Sequence, residues 1–127
     1  MKRILFFGYT DFAGRMRASS LSYELTNRGY ECWQIEQPHW CMQIKEIVSS
    51  PEEKAFTSLP DDRRLAEPFI LFCGMSGEVL DTALAICKGN TRAVLTMANS
   101  RMTAYELAEH LAEEKRSFNE NKKTERK

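Results

Sequence analysis

The sequence predicts an α/β fold: a small, mainly parallel four-stranded sheet flanked by helices. Two observations carry that prediction. Short continuous apolar runs alternate with segments of helical period, an order that implies a sheet covered by helices. The chain also resembles itself: Ile4-Leu5-Phe6-Phe7-Gly8 returns as Ile70-Leu71-Phe72-Cys73-Gly74. Each copy leads into a helical pattern, a glycine stop and a second apolar run, so the chain reads as two β-α-β-α halves. The halves are 1–50 and 68–118, joined by a linker over 49–68, in one domain spanning 1–118. Right-handed crossovers restrict the topology. The simplest strand order is 2-1-3-4, with the repeated strands adjacent and parallel at the centre.

The elements follow in order. Ile4 to Phe7 is apolar throughout, as in a strand with helices over both faces. A helix starts at Thr10 or Asp11, both good caps, and stops at Gly29, with Ala13, Leu21 and Leu25 facing inward. Cys32-Trp33-Gln34-Ile35 is the second strand. Pro38 suits a helix start, and Trp40, Cys41, Ile44, Ile47 and Val48 share one helical face. The linker holds Pro51, Pro60 and Pro68, with a capping-box spacing at Ser50 to Glu53. Phe69 to Cys73 is the third strand. Ser76 caps a helix whose inner stripe is Val79, Leu80, Ala83, Leu84 and Cys87, and Gly89 stops it. Ala93 to Met97 is the fourth strand. Thr103-Ala104-Tyr105-Glu106 is a capping box that opens a last helix burying Leu107, Ala108, Leu111 and Ala112. Residues 119–127 carry no apolar side chain and read as a disordered tail.

Composition bounds the function. The chain has 127 residues, and eighteen Lys and Arg balance eighteen Asp and Glu. No charge excess calls for nucleic acid or an anionic membrane as a partner. No run approaches the ~18 apolar residues of a membrane span. The apolar run after Met1-Lys2-Arg3 is shorter than the ~7 residues of a secretory signal. A cytoplasmic protein is expected. Cys32, Cys41, Cys73 and Cys87 lack any C-x-x-C pairing, so reduced cysteines, no metal and no cofactor are expected.

Several residue sets could carry chemistry. Gly8-Tyr9-Thr10-Asp11-Phe12-Ala13-Gly14-Arg15 runs from a strand into a helix, the setting in which backbone N–H groups hold a phosphate. Its spelling is neither a Walker loop nor a dinucleotide fingerprint, and its simplest use is a polar turn. Arg15 and Arg17 stand early in a helix, where the dipole disfavours cations. They either meet an anion or pair locally with Asp11. His39 and Cys41 could offer two metal ligands, but a structural zinc takes four and His110 is the only other histidine. Cys73 ends a strand, where a nucleophile often stands, yet no base is placed beside it by sequence. Asp11, Asp61, Asp62 and Asp81 lack the strand-end placement of a phospho-receiver site. Asn99-Ser100-Arg101 are ordinary cap and turn formers that could also reach a ligand.

Residues 68 to about 118 resemble the bacterial family catalogued as domain of unknown function 3783. The resemblance rests on Phe69 to Gly74, Glu78 with Leu80-Asp81, Thr96-Met97-Ala98-Asn99, and Thr103-Ala104-Tyr105-Glu106-Leu107. Met97 and Met102 stand where the family often has Pro and Trp. The resemblance implies no assigned activity and supplies no catalytic residue.

The expected function is a non-catalytic binding or regulatory module. The competing reading is an enzyme acting on a small anionic or nucleotide-like ligand. Either way the site is expected at the carboxyl ends of the strands, built from Gly8, Thr10, Arg15, Gly74, Ser76 and Asn99. Gly8 and Gly74 would let a ligand approach the backbone. A protein partner or a homo-oligomer is also open, because a domain this small buries a limited share of its surface.

Overall fold

The computed structural model describes residues 2–35, 40, 42–49 and 64–125, with side chains through 117. Four strands form one sheet in the order β2-β1-β3-β4. They are β1 (Arg3–Phe7), β2 (Glu31–Ile35), β3 (Phe69–Cys73) and β4 (Arg92–Val94). The helices are α1 (Phe12–Asn27), α2 (Ile44–Ser49), α3 (Gly77–Ile86), α4 (Met97–Ser100) and α5 (Ala104–Glu125).

The continuous apolar runs become the two central strands, and side-chain alternation divides them between two cores. Leu5, Phe7, Phe69, Leu71 and Cys73 face one side, against Trp40, Ile44 and Ile47 and against Ala104, Leu107 and Ala108. Ile4, Phe6, Ile70 and Phe72 face the other, against Ala18 and Leu25 of α1, Ala83 of α3 and Cys87 at its end. Helices on both faces explain why these strands never alternate in polarity.

The predicted order 2-1-3-4 holds, and β1–β2 and β3–β4 pair in parallel. The predicted direction at the centre does not: β1 and β3 are antiparallel, with Leu5 opposite Leu71. The crossover rule governs a strand–helix–strand unit. Between β2 and β3 lie α2 and residues 50–63, so the rule does not reach this junction.

Local signals act largely as read. Asp11 caps α1, its carboxylate accepting from Gly14 N–H at 2.6 Å. At the other end Tyr30 N–H donates to Leu25 O and Gly29 N–H to Thr26 O, a Schellman motif closed by Gly29 at φ +92°. Ala13 is exposed and Ala18 takes the inner position, because the first turn precedes the stretch that packs on the sheet. Val79 is likewise exposed. The fourth strand ends at Val94, and Thr96 opens α4 instead of extending the strand. The backbone of α5 runs on to Glu125, across 119–125, where the polar composition predicts a tail. Pro38, His39, Cys41 and most of the linker, including the Ser50–Glu53 capping box and Asp61-Asp62, lie outside the described residues.

Candidate functional site

The antiparallel centre splits the predicted site. The carboxyl end of β1 lies beside the start of β3, since Phe7 pairs with Phe69, while Cys73 pairs with Arg3. Gly8, Thr10 and Arg15 therefore stand at one edge of the sheet. Gly74, Ser76 and Asn99, which follow β3 and β4, stand at the opposite edge. The six residues do not form one site, and Asn99 cannot reach the Gly8 loop.

The first group does converge. Gly8, Tyr9, Thr10 and Arg15 meet Phe6, Gln34 and Ile35 around a crevice of about 50 Å³ at the carboxyl ends of β1 and β2. Parallel neighbours place their outgoing loops side by side, so the turn into α1 and the end of β2 share this opening. The Arg15 Nε donates to the Thr10 carbonyl at 3.0 Å, which holds the guanidinium over the loop. Asp11 spends its carboxylate on the helix cap rather than on Arg15. The first turn of α1 contains no acidic residue. Tyr9 is buried, and burial, with Cys87 nearby, pushes its hydroxyl up to about 12. It therefore lines the crevice as a neutral group.

Gly8 has a use beyond ligand access. It sits at φ +86°, and a Cβ there would come 3.0 Å from Pro68 Cα and 3.1 Å from Leu65 Cδ1. Its bare backbone thus lets the segment entering β3 pack closely, so one side of Gly8 is closed.

The second group is spread along the other edge. Gly74 and Ser76 are exposed. Ser76 occupies the cap position of α3 without a capping hydrogen bond from its side chain. Glu78 in the first turn makes this helix start acidic. Asn99 is committed to the backbone. Its Oδ1 accepts from Thr96 N–H at 2.7 Å, and its Nδ2 donates to Val94 O at 2.9 Å. With Asn99 N–H donating to Thr96 Oγ1 the pair forms a capping box for α4. A wider groove of about 290 Å³ runs between β4 and α5, past Arg92, Thr96, Met102, His110 and Glu114.

Cys73 is 3% exposed, and burial pushes its thiol up to about 12 despite Arg3 nearby. Burial likewise pushes Cys87 up to about 11 and raises Cys32. None of them is poised as a thiolate nucleophile.

One cluster outside the predicted site joins the halves of the C-terminal segment. Glu67 accepts from Thr91 Oγ1 at 2.7 Å and from Lys115 Nζ at 3.0 Å. Burial alone would raise its carboxyl, but these two donors and the Lys115 charge outweigh it and hold the group below the usual carboxylate range. Nothing local in the sequence connects residues so far apart. Gln34 was the findable omission, because it stands at the end of a strand next to the first loop.

The motifs of the C-terminal half are now accounted for by structure. The Thr96–Asn99 pair and the reciprocal hydrogen bonds of Thr103 and Glu106 are both helix starts. Residues 68–118 match the family described as "Domain of unknown function (DUF3783)". The matched segment, less than half of the chain, runs from just before β3 into α5 and holds β3, α3, β4, α4 and the first part of α5. No match is found among curated proteins or among solved structures. The Gly8–Thr10–Arg15 crevice lies outside the matched segment. Among the described residues no helix is long and apolar enough to cross a membrane, and no cluster of His, Cys, Asp and Glu is arranged for a metal.

Proposed function

We propose that this chain is a non-catalytic binding module that takes a small anion, phosphate or carboxylate in size, at the carboxyl ends of β1 and β2. The observation that supports it is the crevice itself, where Gly8 and Thr10 from the turn after β1 and Arg15 from the first turn of α1 meet Gln34 from the neighbouring strand. The guanidinium brings a planar fork of donors suited to an oxyanion. The N-terminus of α1 is already met by the Asp11 carboxylate through Gly14 N–H, so the anion contact rests on Arg15 and the turn before the helix. Thr10 contributes a hydroxyl, and Gln34 an amide.

An enzymatic reading needs a nucleophile or a proton donor and acceptor beside the anion. Among the described residues, Tyr9 and Arg15 are the titratable groups that line the crevice, with Arg17 and Glu67 near enough to act on the Tyr9 hydroxyl, which keeps its proton up to about 12. Binding is accordingly the reading we favour. A reducing, cytoplasmic setting belongs to it, supported by deep thiols without paired spacing.

Titration of the labelled protein with phosphate, nucleotides and dicarboxylates, followed by amide chemical shifts, tests the proposal. The amides of Gly8 to Arg15 and of Gln34 should move and saturate. Arg15→Ala should weaken that binding by about tenfold or more, the usual consequence of losing a charge-assisted hydrogen bond. Shifts confined to α5 or to Gly74 and Ser76, with Gly8 and Thr10 silent, would exclude this site.

A further inference from the structure

We infer that the described residues of the N-terminal half, 2–35, 40 and 42–49, and residues 64–118 are two copies of one β-α-β-α unit, docked like the subunits of an isologous dimer. The edge of β3 together with the start of α5 is then an interface shaped for a second unit of this kind, and the N-terminal half fills it.

The central register is the first support. Leu5 and Leu71 hold the same place in the repeated pentapeptide, and they pair with each other. Ile4 pairs with Phe72 and Phe6 with Ile70, so each residue faces the counterpart of the one its own counterpart faces. That reciprocity defines a two-fold axis through the Leu5–Leu71 pair, normal to the sheet. Parallel pairing of the same strands would relate the halves by a translation and leave no two-fold axis.

A second meeting point lies off the sheet. Gln43 immediately precedes α2, Thr103 immediately precedes α5, and the two form an isolated antiparallel bridge. Hydrogen bonds cross this point in both directions, although not at matching positions. Ile44, the first residue of α2, donates its N–H to Met102 O at 2.8 Å, two residues before α5, and Ala104, the first residue of α5, donates its N–H to Trp40 O at 3.0 Å, four residues before α2.

The rest of the architecture obeys the same operation. An axis normal to the sheet exchanges β1 with β3 and β2 with β4, which leaves the order β2-β1-β3-β4 unchanged when read backwards. It also keeps each helix on its own face. Residues of α1 and α3 share one core, and residues of α2 and α5 share the other. The family match, which covers 68–118 alone, independently marks the second unit as a separable module. Alone, that module would leave the long edge of β3 bare, with its apolar side chains half covered.

The test uses the full chain with a protease recognition sequence inserted between Lys54 and Ala55, cleaved after folding. The two fragments should elute together at the volume of the uncut protein, with unchanged circular dichroism. Native mass spectrometry should then show N-terminal–C-terminal pairs accompanied by pairs of two C-terminal fragments, because the interface accepts either unit. Three results would overturn the inference: elution as separate fragments, loss of secondary structure on cleavage, or mixed pairs alone at every concentration.

Discussion

Leu71 shows what the central strand asks of a single residue. It is fully buried, sits opposite Leu5, and belongs to the core that α2 and α5 cover. Truncation removes transfer free energy and leaves a cavity that neighbours on both sides hold open. Leu71→Ala should cost about 2–5 kcal/mol, against almost nothing for Glu109→Ala on the exposed side of α5. Urea denaturation of both variants checks this, and equal midpoints would mean that the core is not centred on this strand. The phenyl rings of Phe7 and Phe69 stack at 4.7 Å across the same pair of strands, so aromatic packing reinforces the antiparallel register.

At the scale of the element, the start of α1 depends on two residues acting as one. The Asp11 carboxylate caps the Gly14 N–H, and a Cβ on Gly14 would lie 2.7 Å from that carboxylate oxygen. The close atom ends a flexible side chain, so the carboxylate can shift, and alanine is about 1 kcal/mol better than glycine inside a helix. Asp11→Ala should therefore cost about 1 kcal/mol, while Gly14→Ala trades a loosened cap for helix propensity and should cost clearly less. Thermal unfolding of both variants checks this, and an equal loss would show that the cap cannot adjust to the methyl group. The same helix start borders the crevice, so both variants should also disturb the Thr10 and Arg15 amides.

Across the whole molecule, groups in separate places add up to one pH response. Cys73 and Tyr9 are pushed up to about 12 and Cys87 to about 11, each chiefly by burial. An unfolded chain releases the thiol protons near about 8.5 and the tyrosine proton near about 10. Above those values the folded state binds more protons than the unfolded one, so stability falls as pH rises. The contribution is complete below about pH 8.5 and declines up to about pH 12, each group adding up to about 1.4 kcal/mol per pH unit. Urea midpoints should drop between pH 8 and pH 10, with a shallower slope in Cys73→Ala. A flat profile over that interval would contradict the burial of these groups.

The strands, their order, the caps at Asp11 and Thr103 and the glycine stops were legible in the sequence, because each rests on neighbours within a few residues. Half of the candidate site was legible for the same reason: Gly8, Thr10 and Arg15 fall within eight residues, across the turn from β1 into α1, and that turn opens on the crevice. Thr96 and Asn99 had the spacing of a capping box, which the apolar run before them disguised as strand. The sequence by itself therefore determined the elements, their caps and the basic loop. Only the tertiary structure decided that β3 runs against β1, that Gly74, Ser76 and Asn99 stand at the far edge, and that Glu67 meets Lys115. A strand buried on both faces reads the same in either direction. Its orientation is set by contacts between residues far apart in the chain, and no local period records those.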